Sequence, residues 1–352
     1  MLFEMKQIRA SESVNGSCDV WSSNSSADHL VIMVNGIIGS VTDWQYAAEQ
    51  FVKQIPDKVF VHCSERNVSK LTLDGVDVMG QRLAEEVLEV IRSKPNLRKI
   101  SFVAHSVGGL VARYAIGRLY RPSVREPLED SCTGENKEDS MGTIGGLEAM
   151  NFITVATPHL GSRGNKQVPF LLGVAALEKV ARFVIYLIFR RTGQHLFLTD
   201  DGEGKGPLLK RMVEDYDGYY FISALCTFKR RVLYSNVCCD HIVGWRTSCI
   251  RRDSELPKWE DTLNEKYPHV VYEEHCKACD SEHSDLVADT GSDKIEEELV
   301  TALSRMSWEK VDVSFRSIKQ SFAAHSVIQV KDRSAHLEGA DVIQHMIDHF
   351  LA

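Results

Sequence analysis

An α/β protein with a mostly parallel central sheet flanked by helices is expected from three features of this 352-residue sequence. Short, unbroken apolar runs such as His29-Leu30-Val31-Ile32-Met33-Val34 alternate with longer stretches whose apolar residues recur every three or four positions. The first pattern marks a strand buried on both faces, the second an amphipathic helix. Strand and helix in repeated alternation lead to a parallel sheet covered by helices. The third feature is Ala104-His105-Ser106-Val107-Gly108-Gly109, a serine between the strand-forming residues 99–103 and a helical stretch from Leu110 onward. So sharp a strand-to-helix turn needs small neighbours two positions away, and here they are Ala104 and Gly108.

Composition narrows the class. With 43% hydrophobic and 26% charged residues the chain is an ordinary globular protein. Its length suits one α/β core with insertions as well as two domains. A net charge of −8 speaks against a nucleic-acid partner. Nine cysteines are scattered along the chain, and Met1-Leu2-Phe3-Glu4-Met5-Lys6 lacks a basic region followed by an apolar one. Reduced thiols and a cytoplasmic setting are therefore expected.

The elements follow in order. Residues 1–28 are polar and serine-rich, and read as a flexible leader to a domain spanning 29–352. The strand 29–34 ends in the glycine-containing loop Asn35-Gly36-Ile37-Ile38-Gly39-Ser40. Thr42 is a candidate N-cap for a helix running to Phe51-Val52. Residues 58–62 form the next strand. From 75 to 91, Val76, Met79, Leu83, Val87, Leu88 and Ile91 keep helical spacing. Residues 121–146 are charged and glycine-rich, an excursion beyond the helix that follows the serine. Strands return at 150–155 and 231–237, and again at 308–315, where Val311, Val313 and Phe315 alternate with polar residues. The charged stretch 259–298 reads as an insertion, and 339–351 as a closing helix. Insertions are thus placed near 121–146, 165–215 and 253–300.

Ser106 is the candidate nucleophile. It stands at a helix N-terminus, where N–H groups and the helix dipole favour developing negative charge. One oxyanion N–H would come from Val107 and a second from about Ile37, in the glycine loop after the first strand.

Val34-Asn35-Gly36-Ile37-Ile38-Gly39 with Asp43-Trp44, the run from Ala104 to Leu110, and Thr154-Val155-Ala156-Thr157-Pro158-His159-Leu160-Gly161 carry a resemblance. Over residues 28–350 the chain resembles a serine esterase/lipase family of plants and fungi within the α/β-hydrolase superfamily. The resemblance implies an α/β-hydrolase fold with a lid, and hydrolysis of acyl esters through Ser, Asp and His. Two positions depart from common hydrolase patterns: Ala104 stands for a glycine, and Asn35 for a histidine.

In that fold the acid lies just past a strand, which is the place of Asp240 in Cys238-Cys239-Asp240-His241-Ile242-Val243. His241 points away from it on an extended segment. The base comes later in the chain. Spacing leaves His325 and His336 open, and the resemblance selects His325 through Ala324-His325-Ser326-Val327-Ile328-Gln329-Val330. His159 precedes the acid and is read as pocket wall or loop hydrogen bonding. The apolar stretch 169–189 is interrupted by Glu178, Lys179 and Arg182, so no run reaches the roughly 18–20 residues of a spanning helix. A core helix, a lid and an interfacial anchor compete for it, and its place between serine and acid favours the lid. Gly36, Leu172 and Phe183 are the expected substrate contacts, and 169–191 the candidate membrane contact. His275-Cys276-Lys277-Ala278-Cys279 with His283 has zinc-like spacing without a second distant pair, and is read as reduced cysteines on an exposed helix. No metal or organic cofactor is expected. The expected partner is an acyl ester or lipid substrate. An inactive hydrolase-shaped scaffold binding lipid or protein, and an acyltransferase or thioesterase, are the alternatives.

Overall fold

A computed structural model describes residues 20–21, 26–123, 142–162, 189–202, 204–216, 218–259, 264–278, 291–316 and 323–352. Besides two short two-stranded ribbons (Tyr120–Arg121 with Thr143–Ile144, and Asp215–Tyr216 with Tyr219–Tyr220), the strands of its main sheet in chain order are β1 (Val20–Trp21), β2 (His29–Val34), β3 (Val59–Cys63), β4 (Lys99–His105), β5 (Glu148–Val155), β6 (Arg230–Asn236), β7 (Val270–Cys276) and β8 (Trp308–Val313). They form one sheet in the order β1-β3-β2-β4-β5-β6-β8-β7. The six inner strands are parallel, and β1 and β7 close the edges antiparallel to β3 and β8.

The unbroken apolar runs are explained by burial on both faces. Leu30, Ile32 and Val34 of β2 enter one core cluster, while Val31 and Met33 enter the other. Helices α1 (Gln45–Gln54), α2 (Val76–Ser93), α3 (Val107–Leu119), α4 (Phe221–Thr227), α5 (Trp245–Cys249), α6 (Gly291–Leu303), α7 (Ala324–Val327) and α8 (Ala340–Asp348) surround the sheet. The first cluster takes its helical share from α2, α3, α4 and α6, the second from α1, α7 and α8. The stripe of α2 is buried at Val76, Met79, Leu83 and Val87. Each such side chain contributes roughly 1.5–3 kcal/mol.

The structure departs from the sequence reading at three places, the first being Val20–Trp21, which lie in the expected flexible leader yet pair with β3. Thr42 caps no helix: a 3-10 turn at Val41–Trp44 precedes α1, with Ser40 and Trp44 at the two N-cap positions. The turn carries Asp43 and Trp44 inward, and burying a whole indole outweighs a cap worth about 1 kcal/mol. The stretch 259–298 is more than a solvated insertion. It supplies the edge strand β7 and begins α6, whose Leu299, Val300 and Leu303 are core residues. Cys276 accordingly ends a strand, not a helix. An antiparallel edge strand tolerates charge along its length, so Glu273 and Glu274 disguised it. Leu172 and Phe183 lie outside the described residues, as do Cys279 and His283. No described helix is long and apolar enough to cross a membrane.

Candidate active site

Ser106 joins β4 to α3 with φ 55° and ψ −133°, a backbone conformation that costs a non-glycine residue about 1–3 kcal/mol. The surroundings enforce it. A Cβ on Gly108 would lie 2.5 Å from the Asn35 carbonyl oxygen and 2.7 Å from that of Val34, so the first turn of α3 presses on the end of β2. Ala104, fully buried, places its methyl in the core, which is how an alanine replaces the usual glycine. The Ser106 N–H donates to the Val155 carbonyl at 2.8 Å. The next N–H groups, beginning with Val107, belong to the helix turn that has no intrahelical acceptor.

The loop after β2 comes equally close. A Cβ on Gly36 would stand 2.9 Å from Ser106 Cβ and 3.1 Å from His105 Nδ1, so only glycine permits this approach. Asn35 Nδ2 donates to the Asn67 carbonyl at 2.9 Å, and the Ile38 N–H to Thr72 Oγ1 at 2.8 Å, anchoring the loop on both sides of Gly36 and the half-exposed Ile37.

Beyond β6 the chain turns through Cys239 (φ 66°) to the buried Asp240. Its Oδ1 accepts N–H bonds from Ile242 at 3.0 Å and Val243 at 2.8 Å. Its Oδ2 accepts from Asn236 Nδ2 at 3.0 Å and from His325 Nδ1 at 2.9 Å. Burial pushes the Asp240 pKa up, but the charge and hydrogen bond of His325, with the Val243 and Asn236 donors, outweigh it and hold the carboxyl below its ordinary range. His325 lies on α7, and its Nε2 accepts from Ser106 Oγ at 3.0 Å. The structure therefore joins Ser106, His325 and Asp240 in one hydrogen-bonded line. A hydroxyl so placed can lose its proton to the imidazole as it attacks an electrophile, while the carboxylate fixes the tautomer and balances the imidazolium.

The other histidines take no part in this line. His336 Nδ1 accepts the Asp332 N–H at 3.1 Å within its own turn. His159 is buried, its Nε2 3.0 Å from Thr154 Oγ1. His241 is exposed. Among the described residues no group of three or more His, Cys, Asp or Glu could hold a metal.

Sequence reasoning missed three supports. His105 Nε2–H donates to the His325 carbonyl at 2.7 Å, with the rings 4.5 Å apart. Burial, then the charge that His325 carries once it has taken a proton, pushes the His105 pKa well down and keeps it neutral. Asn236 braces Asp240, and Lys331 pairs with the buried Asp43 at 3.1 Å, tying the segment after His325 to the turn after the glycine loop. Each stands beside a quoted motif, but its partner is distant in sequence or known only from the loop's shape.

A parallel sheet with a strained serine after β4, a carboxylate after β6 and a histidine after β8 defines an α/β-hydrolase. More narrowly, the chain belongs to the family described as "Putative serine esterase (DUF676)", which matches residues 24–252. Among similar proteins, "Putative lipase ROG1" of Saccharomyces cerevisiae is 31% identical over 226 residues, covering 63% of this chain and 28% of that one. "Putative lipase C4A8.10" of Schizosaccharomyces pombe is 29% identical over 243 residues, covering 66% and 27%. The chain thus spans under a third of the length of these two relatives. Solved structures with more distant similarity include a lipase-esterase related protein from Clostridium acetobutylicum, at 10% identity and TM-score 0.39, covering 96% of this chain and 100% of that one. Phospholipase PlaB from Legionella pneumophila matches at 15% identity and TM-score 0.34, covering 60% and 38%.

Proposed function

We propose that the protein is a serine-dependent carboxylic ester hydrolase acting on acyl or lipid esters. The observation that carries this reading is the pair of hydrogen bonds Ser106 Oγ to His325 Nε2, 3.0 Å, and His325 Nδ1 to Asp240 Oδ2, 2.9 Å. Ser106 Oγ attacks the ester carbonyl while His325 takes its proton. The alcohol leaves with that proton, and an acyl-enzyme remains. His325 then draws a proton from water as the water oxygen bonds to the acyl carbon; the bond to Ser106 Oγ breaks, His325 returns the proton to Ser106, and the acid is released. The oxyanion is met by the N–H groups of Val107 and Ile37, a reading supported by the close approach of Gly36 to Ser106. Asp240 stays ionised through the cycle because its pKa is held low.

The family and the two relatives named as lipases support an ester or lipid substrate. The apolar stretch 169–191 is proposed to cover the acyl chain through Leu172 and Phe183 and to touch the membrane surface. A cytoplasmic setting fits Cys226, Cys238, Cys239, Cys249 and Cys276, which form no disulfide.

Hydrolysis of p-nitrophenyl butyrate and octanoate by the purified protein tests the assignment. Ser106→Ala and His325→Ala should each lose about 10⁴-fold or more in kcat, while His336→Ala should stay within about twofold of the parent. An inactive parent that also resists a fluorophosphonate would replace this reading with a binding scaffold.

A further inference from the structure

We propose that Cys238 and Cys239 form a vicinal dithiol that a peroxide closes to a disulfide, a covalent modification site that controls the alignment of Asp240. The two sulfurs lie 3.1 Å apart, with the Cys239 thiol donating to Cys238 Sγ. Both residues are half-buried, open to a small oxidant. Cys238 Sγ is also 3.9 Å from Ser314 Oγ. Because the Cys239 thiol donates to Cys238 Sγ, Cys238 is taken as the attacking sulfur and Cys239 as the one that resolves it; burial and the neighbouring thiol push the Cys239 thiol up to about 11.

The chemistry balances with the peroxide as sole oxidant. The Cys238 thiolate attacks one peroxide oxygen; the S–O bond forms, the O–O bond breaks, and the departing hydroxide takes up the thiol proton as water. Cys239 sulfur then attacks the Cys238 sulfenic acid. The S–S bond forms, the S–O bond breaks, and hydroxide leaves with the Cys239 proton as a second water. Two thiols are oxidised and one peroxide is reduced.

Adjacent residues have Cα atoms about 3.8 Å apart, short of the roughly 4.4–6.8 Å that disulfides prefer. Closure therefore twists the Cys238–Cys239 backbone, and the bond is readily reduced. The twist falls on a short segment. Val237 is pinned by its N–H to the Val313 carbonyl at 2.9 Å, while Asp240 is held by Ile242, Val243 and Asn236. With Val237 fixed in the sheet, the strain falls on the hydrogen bonds of Asp240, its 2.9 Å bond with His325 among them. Control of turnover rests on the ester-hydrolase reading above; formation of the disulfide does not.

The full chain is treated with hydrogen peroxide, its remaining thiols are blocked, and the peptide holding residues 238 and 239 is weighed. Turnover and fluorophosphonate labelling are followed on the same samples. The peptide should lose two hydrogen atoms, and turnover should fall roughly tenfold or more through misaligned acid. Dithiothreitol should restore both. Cys238→Ser and Cys239→Ser should keep basal turnover and become insensitive to peroxide. Two alkylated thiols after oxidation, or sulfinic acid on Cys238, would overturn the site. Disulfide formation with unchanged turnover, or equal inhibition of both serine variants, would overturn the control of Asp240. A disulfide in a chain without any ester turnover would leave the site standing and remove only the proposed hydrolase function.

Discussion

His105 grips the backbone of the proposed base rather than its ring. Its Nε2–H meets the carbonyl of His325, 220 positions away, and its other nitrogen faces the glycine loop. One neutral side chain thus spaces the base against the loop that approaches the serine. His105→Ala leaves that carbonyl without its partner and frees α7 to shift. It should lower kcat about tenfold with KM within about twofold, the mark of a residue that aligns the reacting groups without binding substrate. His105→Gln, which keeps a donor of similar reach, should recover part of the loss. Equal stability loss with unchanged kcat would make the contact purely structural, and steady-state kinetics beside thermal melts decides between them. Ser106 could be read from sequence because its turn demands small neighbours at fixed offsets. His105 could not, since no local pattern tells which distant carbonyl the last residue of a strand will meet.

Elements were legible wherever burial imposed a strict period. The runs of β2 and β4 alternate between two core clusters, so neither face could carry charge, and α2 shows its stripe for the same reason. β7 is hidden because an edge strand buries little, and Cys276 at its end carries no burial signal that separates strand from helix. The turn between β4 and α3 puts this reasoning to a direct test. Gly108 has no room for a side chain, whereas the methyl of Ala104 is packed on all sides. Gly108→Val should destabilise the protein by about 1–3 kcal/mol through overpacking and displace the Val107 N–H, losing turnover more than melting temperature alone would predict. Ala104→Gly should cost roughly 0.5–1 kcal/mol from lost packing and added chain entropy, with kcat within about twofold. Denaturant melts and ester hydrolysis on the two variants separate these outcomes. A Gly108→Val variant with parental turnover would refute the close contact with β2.

At the scale of the whole molecule, the core holds histidines that remain uncharged. His29 is fully buried against Ser101 Oγ at 2.8 Å, and desolvation, with the charge of Lys99, pushes its pKa down to about 3. Burial, with His325 in one case and Arg113 in the other, pushes His105 and His159 well down. In the unfolded chain each titrates near 6.5. Above that pH all are neutral in both states, and the native fold keeps its full stability. As pH falls below about 6.5 the unfolded chain binds protons that the native core refuses. Stability then declines by about 1.4 kcal/mol per pH unit for each histidine. The carboxylates act lower on the scale. Asp240 is held down against its burial by His325, and Glu86 likewise by His62, the Glu65 N–H and Ser64. Their stabilisation is complete above the unfolded values near 4 and is lost as pH falls through the native ones. Thermal melts from pH 8 to pH 3 should therefore give a plateau, a decline beginning near pH 6.5, and a steeper fall below about pH 4. His29→Gln keeps a polar group beside Ser101 but cannot take up a proton when unfolded, so it should flatten the first decline by the share of one histidine. A melting temperature constant between pH 7.5 and pH 5 would mean that the buried histidines accept protons in place, and that the core around them opens to water.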